Sequence, residues 1–403
     1  MLESLIVHVS RSLPTLPSPV AQEGLKGLAK ILSVERERLD SMMDEHELAS
    51  EREQEELLDL NEVMRAFGID AWKNLGPTDT AYSDNFGLLV DVQGQRYVLR
   101  ERPEGPLGED QGHRYVFRRY LQQQGIPIPA LWPTPQGEAA AQVGEDHFEL
   151  EQWSGGELFS SSDSRALDWV SFAGSMLGRI HQASQHYQGP QYKWPAEAHM
   201  GSVVQSYLNL ARSRADTCEL QALAVALENW ADQWEAVLPS AMMSIGAVRG
   251  LPEFHIHGDY HALNLRFNSL GVAAVLGLEA SRWEKRIFEV AYALFYFCAL
   301  AWQPGEKLTR PLLKRGLDPL RARNFLRAYG ELCPPARGEA EALTDALTLI
   351  APIATINGPL EDLFYGPQEA EEDSMDDLLE RLYWASTLPA WLRRVRHSLA
   401  EMW

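Results

Sequence analysis

Residues 255–264 read HIHGDYHALN and hold the densest chemistry in the chain. Asp259 and Asn264 stand five residues apart, just after the strand-like EFHI at 253–256 and the pair His257-Gly258. Phosphoryl transfer asks for few groups. It needs a carboxylate to orient or deprotonate the accepting hydroxyl, an asparagine on a metal ion, and a second acid on the same metal further along. This stretch supplies the first two. The chain then continues LRFNSLGVAAVLGLEASRW, and a glycine, Gly277, stands where the second acid is wanted.

The same residues allow another spelling. His255, His257 and Asp259 form H-x-H-x-D, the opening of a binuclear metallohydrolase signature, and on a strand the three would share one face. That signature wants a histidine directly after the aspartate, where this chain has Tyr260. It also wants more histidines downstream, and only His261 and His397 follow.

Composition sets wide bounds around this loop. A chain of 403 residues, 45% apolar and 23% charged, has the makeup of a soluble globular protein with room for two or three structural units. Its formal charge of -21 argues against nucleic-acid binding, which demands a clustered basic surface, and leaves neutral or cationic small substrates open. Cys218, Cys298 and Cys333 lie far apart without a CxxC, which fits a reducing cytoplasm better than a disulfide framework. The start MLESLIVHVSRSLP lacks a basic n-region, so no signal peptide is expected. VAYALFYFCALAW, at 290–302, is too short to span a bilayer and reads as a buried core helix.

Three regions follow from texture. Residues 1–57 carry helical apolar spacing at Leu25, Leu28, Ile31 and Leu32, then a charged run without Gly or Pro. They predict an acidic helical extension, either packed on its own domain or engaging a protein partner or a second copy of the chain. Residues 58–154 predict a short helix ending at Gly68, two strands joined at Gln93-Gly94, a helix stopping at Gly125, and two more strands, EAAAQV and HFELEQW. That order, ββ-α-ββ, describes a small lobe with an antiparallel sheet. After Gly155-Gly156, residues 155–403 predict a mainly helical lobe with one embedded hairpin around the 255–279 loop, and a polar loop at GPQEAEEDSMDD from Gly366. The fold class expected is bilobal α+β.

HGDYHALNLRF followed by LEASRWEKRIFEVAYALFYF resembles the aminoglycoside phosphotransferase, choline kinase and homoserine kinase group of protein-kinase-like phosphotransferases. AYSDNFGLLVDVQGQRYVLRE resembles their nucleotide-covering hairpin, and RRYLQQQGIPIPALWPTPQG their following helix and strand. ELEQWSGGELF is similar to their hinge, and MLGRIHQAS to one of their helices. The likeness runs from about residue 58 to 390 and leaves out the N-terminal extension. It implies a protein-kinase-like fold, ATP (or GTP) with Mg²⁺ as cofactors, and a hydroxyl of a small molecule as acceptor. Asp259 takes the position of the catalytic aspartate and Asn264 that of the metal-binding asparagine. Arg100 takes that of the base on the nucleotide phosphates, and Asn85 that of an asparagine in the phosphate-covering turn. His257 and His261 fall on structural histidines, and Glu289 on the acid that opens the helix behind the loop.

Two departures accompany the likeness. Relatives anchor the phosphate-binding base with a glutamate on the lobe's helix. Here that register holds Arg114, which would repel Arg100, with Glu109 as a substitute one loop earlier. Gly277 falls on the metal-binding aspartate, leaving Glu279 as the second metal ligand beside Asn264. The two readings that follow are a slow or metal-impaired phosphotransferase and a kinase-fold pseudoenzyme that binds a nucleotide or a partner.

Overall fold

The computed structural model describes residues 60–78, 87–102, 112–144, 146–193, 200–218, 220–302, 310–356 and 372–403. The expectations for residues 1–57, Asn85, Glu109 and the polar stretch 366–371 lie outside that set.

The first half is built on one antiparallel sheet. Helix α1 (Leu60–Ala66) ends before Gly68, whose φ of 73° turns the chain toward β1 (Lys73–Pro77). Strands β2 (Gly87–Val92) and β3 (Gln95–Arg102) form a tight hairpin through Gln93 and Gly94, both with positive φ, as a two-residue turn between twisted strands requires. Helix α2 (Gly112–Gln123) follows, then β4 (Ala141–Val143) and β5 (Asp146–Gln152). The sheet order is β1-β2-β3-β5-β4. The edge strand β1 is an addition to the expected four; its sequence KNLGP is too short and polar to show the alternation that marks a strand.

Strand alternation divides the sheet into two unlike faces. Leu88, Val90, Tyr97, Leu99, Phe148 and Leu150 share one face and form a core with Val63, Met64 and Phe67 of α1. The other face carries Arg100, Arg102, Glu149 and Glu151, with Arg100 and Glu149 directly opposite on neighbouring strands. Helix α2 adds Arg114 and Arg118 to that charged layer, while its Phe117 and Leu121 join the helical core below.

The second half opens at Gly156, whose φ of 126° and close approach to Arg266 and Phe267 leave little room for a side chain. Helix α3 (Ala166–Ser184) contains the MLGRIHQAS stretch, and α4 (Met200–Thr217) follows. Two helices come next, α5 (Gln221–Glu235) and α6 (Leu238–Ala247), with Pro239 in the first turn of the second. The expected single hairpin is two strand pairs. Strand β6 (Glu253–Ile256) pairs with β9 (Arg282–Lys285), and β7 (Leu265–Asn268) with β8 (Gly271–Val275). Nesting one pair inside the other brings the loops 257–264 and 276–281 side by side. Helix α7 (Arg286–Cys298) is buried on every side, as its apolar run predicted. Helices α8 (Pro319–Gly330), α9 (Glu339–Ile356) and α10 (Glu372–Ala400) complete the lobe. The predicted polar loop thus gives way to helix from Glu372. No described helix is long and apolar enough to cross a membrane.

Candidate active site

The loop after β6 is held by a carboxylate beneath it. Glu289, in the first turn of α7, accepts hydrogen bonds from the backbone N–H groups of His257 (3.1 Å) and Gly258. Its other contact is His181 Nε2 on α3 at 2.7 Å, and the second ring nitrogen of His181 lies 2.8 Å from the Tyr329 hydroxyl. Burial would raise the pKa of Glu289, but the hydrogen bonds it accepts, from His181 first and from the Gly258 N–H, outweigh this and lower it. Gly258 has a φ of 89°, and a Cβ there would strike the carbonyl of Ala280, so this position requires glycine. His257 is braced from both ring nitrogens. Nε2 lies 2.7 Å from the Leu276 carbonyl and Nδ1 accepts from the Asp259 N–H at 3.2 Å, which fixes the tautomer with the proton on Nε2.

Asp259 follows at the loop's apex and is buried. Tyr292, one helical turn beyond Glu289 on α7, donates its hydroxyl to Oδ1 at 2.5 Å. Oδ2 accepts from Asn264 Nδ2 at 2.9 Å and faces His261 Nε2 at 3.2 Å. Burial pushes the pKa of this carboxyl up, yet His261 beside it and the hydrogen bonds from His261 and Tyr292 hold it well below the usual range. Asp259 is therefore an ionised acceptor at neutral pH. His261 also caps the 3₁₀ turn Ala262–Asn264 by accepting from the Leu263 N–H, and its ring stacks on Trp302. It touches the aspartate as well as bracing the loop.

The facing loop carries the two positions in question. Gly277 adopts a left-handed conformation (φ 73°, ψ 43°), and a Cβ built there would lie 2.4–2.7 Å from the side-chain amide of Asn264. Asn264 thus covers the place where a side chain at 277 would begin. Glu279, two residues on, ion-pairs with Arg102 of β3 across the lobe interface. Burial opposes its ionisation, but Arg102, Arg100 and Arg114 overcome it and hold the carboxyl down at about 2.

Arg102 links this contact to a larger charged layer. It bonds Glu149 through Nε at 2.9 Å, and Glu149 accepts from Tyr115 at 2.6 Å and faces Arg114 at 3.4 Å. Arg118 pairs with Glu151 at 2.6 Å, and Arg100 lies 3.9 Å from the same glutamate. The expected repulsion between Arg114 and Arg100 is therefore corrected. The acids come from the sheet, on β5, and the bases from the helix, a reversal of the anticipated arrangement. In the sequence, Glu149 and Glu151 alternate along HFELEQ and Arg100 and Arg102 along YVLRER, so the signal was a shared strand face. Tyr292 was signalled only by its helical spacing from Glu289.

This arrangement does not fit a divalent ion in the place the resemblance implies. Glu279 is neutralised by Arg102, Asn264 donates its amide to Asp259, and Gly277 offers no side chain. Among the described residues, no three His, Cys, Asp or Glu side chains are grouped to hold a metal. The conformation of Gly277 suggests a direct test. Gly277→Asp is expected to destabilise the fold by about 1–3 kcal/mol, the scale of a strained backbone position. It forces Asn264 off Asp259 while placing a carboxylate beside the freed amide oxygen. Part of the lost stability should return with Mg²⁺, whereas the wild-type melting temperature should be indifferent to Mg²⁺; thermal melts with and without the ion check both.

His255, one strand step before the loop, has both ring nitrogens without a partner. It sits among Phe117, Tyr187 and His113. Burial, with His113 and Arg282 nearby, depresses its pKa to about 3. A histidine neutral in the fold but free to protonate near pH ~6.5 when unfolded adds stability above that pH and loses it as pH falls toward 3. His255→Phe is therefore expected to stabilise by about 1–2 kcal/mol at pH 7 by removing unpaired polar atoms. It should also flatten the loss of stability between pH 6.5 and 4, measured by urea unfolding.

Known proteins share this architecture. An aminoglycoside phosphotransferase from Alicyclobacillus acidocaldarius subsp. acidocaldarius superposes with a TM-score of 0.55 at 15% identity, covering 80% of this chain and 95% of that one. A microcompartment-associated aminopropanol kinase gives 0.56 at 13% identity, with 85% and 98% covered. A choline kinase from Cryptosporidium parvum gives 0.52 at 12%, with 82% and 91% covered. No curated protein matches the sequence. At these identities the solved structures speak for the fold, a kinase-like one, and the sequence itself speaks for kinship: residues 80–343, well over half of the chain, match the family model, and the chain belongs to the phosphotransferase enzyme family.

Proposed function

We propose that this protein is a phosphotransferase that moves the γ-phosphoryl group of ATP to a hydroxyl of a small molecule, slowly, with Asp259 as the proton acceptor. The observation that carries the reading is the state of Asp259. It is an ionised carboxylate at the apex of a rigid loop, and one of its oxygens already holds a hydroxyl, that of Tyr292. An acceptor hydroxyl taking the place of the Tyr292 hydroxyl would be held for attack. Its oxygen bonds to the γ-phosphorus, the bond from that phosphorus to the bridging oxygen breaks, ADP departs, and the hydroxyl proton passes to Asp259. Glu289, His181 and His257 keep the loop backbone in place and touch no substrate. The relatives' names cover aminoglycosides, an amino alcohol and choline, all small hydroxyl compounds, and support the same acceptor class here. Mg²⁺, when bound in kinases, neutralises charge on the transferring phosphates. No step here is routed through it, because the residues do not fit it.

A second reading is favoured by a specific observation. Both oxygens of Asp259 are engaged internally, and Glu279 is tied to Arg102. A kinase-fold pseudoenzyme would look like this, binding a nucleotide or a protein partner through the extension at residues 1–57. Incubation with γ-labelled ATP, with Mg²⁺ or Mn²⁺, and a panel of aminoglycosides and amino alcohols separates the two. Label transfer that disappears in Asp259→Asn supports the enzyme. Thermal stabilisation by ATP without any transfer supports the pseudoenzyme, and no stabilisation by ATP overturns both nucleotide-binding readings.

A further inference from the structure

Gln182, Gln185, Gln188 and Gln191 stand three residues apart, from the last turn of α3 into the chain beyond it. All of them line one cavity of about 600 Å³, within the roughly 300–1,000 Å³ range of small-molecule sites. The rest of its wall comes from β6, β9, the start of α7 and the segment after α8. The loop bearing Asp259 leaves the far end of β6, so this cavity is separate from the candidate active site. Gln182 follows His181, and Arg286 precedes Glu289 by one helical turn, which sets the cavity behind the brace of that loop.

The lining is polar without an excess of charge. Arg286 is paired with Glu339, and Glu253 faces Lys193 at 3.6 Å. The glutamine amides have no hydrogen-bond partner among the described residues. Each offers two N–H donors and a carbonyl acceptor, a set that suits neighbouring hydroxyl groups. Trp283 adds an aromatic surface for the apolar side of a ring. Ser184 and Tyr187 are buried in the same wall, and neither hydroxyl has a hydrogen-bond partner. A buried hydroxyl without a partner carries a desolvation cost that a bound polar group relieves. An ion would meet no unmatched charge here, and an apolar ligand would strip water from the amides without replacing its hydrogen bonds.

We propose that this cavity binds a neutral sugar or sugar-like polyol. The glutamine amides bond its hydroxyls, Trp283 covers one face of the ring, and a change of rotamer brings the Ser184 hydroxyl to it. The inference does not rest on the phosphotransfer reading, because the cavity shares no residue with the 257–264 loop.

Calorimetric titration of the full chain tests this, with glucose, trehalose and myo-inositol as neutral probes and glucose 6-phosphate as an anionic one. The expected result is saturable binding of at least one neutral probe, with glucose 6-phosphate no tighter than glucose. Gln185→Ala, a change at an exposed position, should weaken the bound probe by roughly 2–10-fold, the worth of a neutral hydrogen bond. Trp283→Ala should weaken it by roughly 10-fold through loss of the aromatic contact. Asp259→Asn should leave the affinity unchanged. Absence of binding by all three neutral probes overturns the proposal, as does glucose 6-phosphate binding tighter than glucose. An affinity unmoved in both Gln185→Ala and Trp283→Ala overturns it as well. Binding lost in Asp259→Asn but kept in Gln185→Ala places the sugar in the candidate active site, and so overturns this cavity while leaving the phosphotransfer reading standing. The comparison of probes uses the unmodified chain and depends on no variant folding.

Discussion

Glu289→Ala is expected to be the most destabilising single change near the loop, costing about 3–5 kcal/mol, the range seen when a buried charged partner is removed. Three donors converge on this carboxylate: the N–H groups of His257 and Gly258 and the ring of His181. Alanine leaves them all without an acceptor inside the protein, where an unmade hydrogen bond carries its full desolvation cost. The loss has a pH signature. Because the folded pKa of Glu289 is lowered, its contribution is present above the unfolded value near ~4.3 and is lost as pH falls through the folded value. The gap between wild type and variant should therefore be widest at neutral pH and should close in acid. Urea midpoints at pH 7 and pH 4 measure this, and faster hydrogen exchange at the His257 and Gly258 amides would locate the damage. An unchanged midpoint at pH 7 would sink the bracing role.

Asp259→Asn is expected to remove roughly 10²–10⁴-fold of any phosphotransfer rate, the usual contribution of a positioned general base. Its effect on stability should be smaller, about 1–2 kcal/mol, because the side chain keeps its shape and loses mainly charge-assisted hydrogen bonds. The new amide must also place its N–H₂ against groups that already donate, Tyr292 on one side or Asn264 on the other. Steady-state rates and urea midpoints on the same preparation separate the two effects. A variant that keeps more than a tenth of the wild-type rate would exclude Asp259 as the base.

Much of the fold was legible because its signals are local. The Gln93-Gly94 turn, the helix from Ala166 to Ser184 and the buried α7 follow from turn chemistry and apolar periodicity. Strand β1 and the second strand pair were missed for the opposite reason. KNLGP and the four- and five-residue strands β6 to β9 are shorter than a reliable alternation, and the partner of β6 lies beyond the whole loop region, on β9. The site divides in the same way. Asp259, Asn264 and Gly277 lie within one stretch of chain, so their spacing could be weighed directly. Glu149, Arg102 and Tyr292 act across elements, and nothing local marks which residue a strand arginine will face.

The sequence by itself determined that this chain carries a phosphotransferase-type loop at 257–264 on a two-lobed α+β framework, and that the second acid of that loop is absent at Gly277. These are statements about residue type and spacing, which the chain order contains. Only the tertiary structure decided what the remaining charges do. It set Glu279 against Arg102 and not beside Asn264, gave Arg114 a glutamate from the sheet, and turned the Tyr292 hydroxyl onto Asp259. Charge pairing inside a protein depends on which surfaces the fold brings within a few ångströms, because an unpaired ion cannot stay buried. Two residues apart on a strand or one turn apart on a helix tells which face a side chain takes, and the partner waiting there is set by the fold.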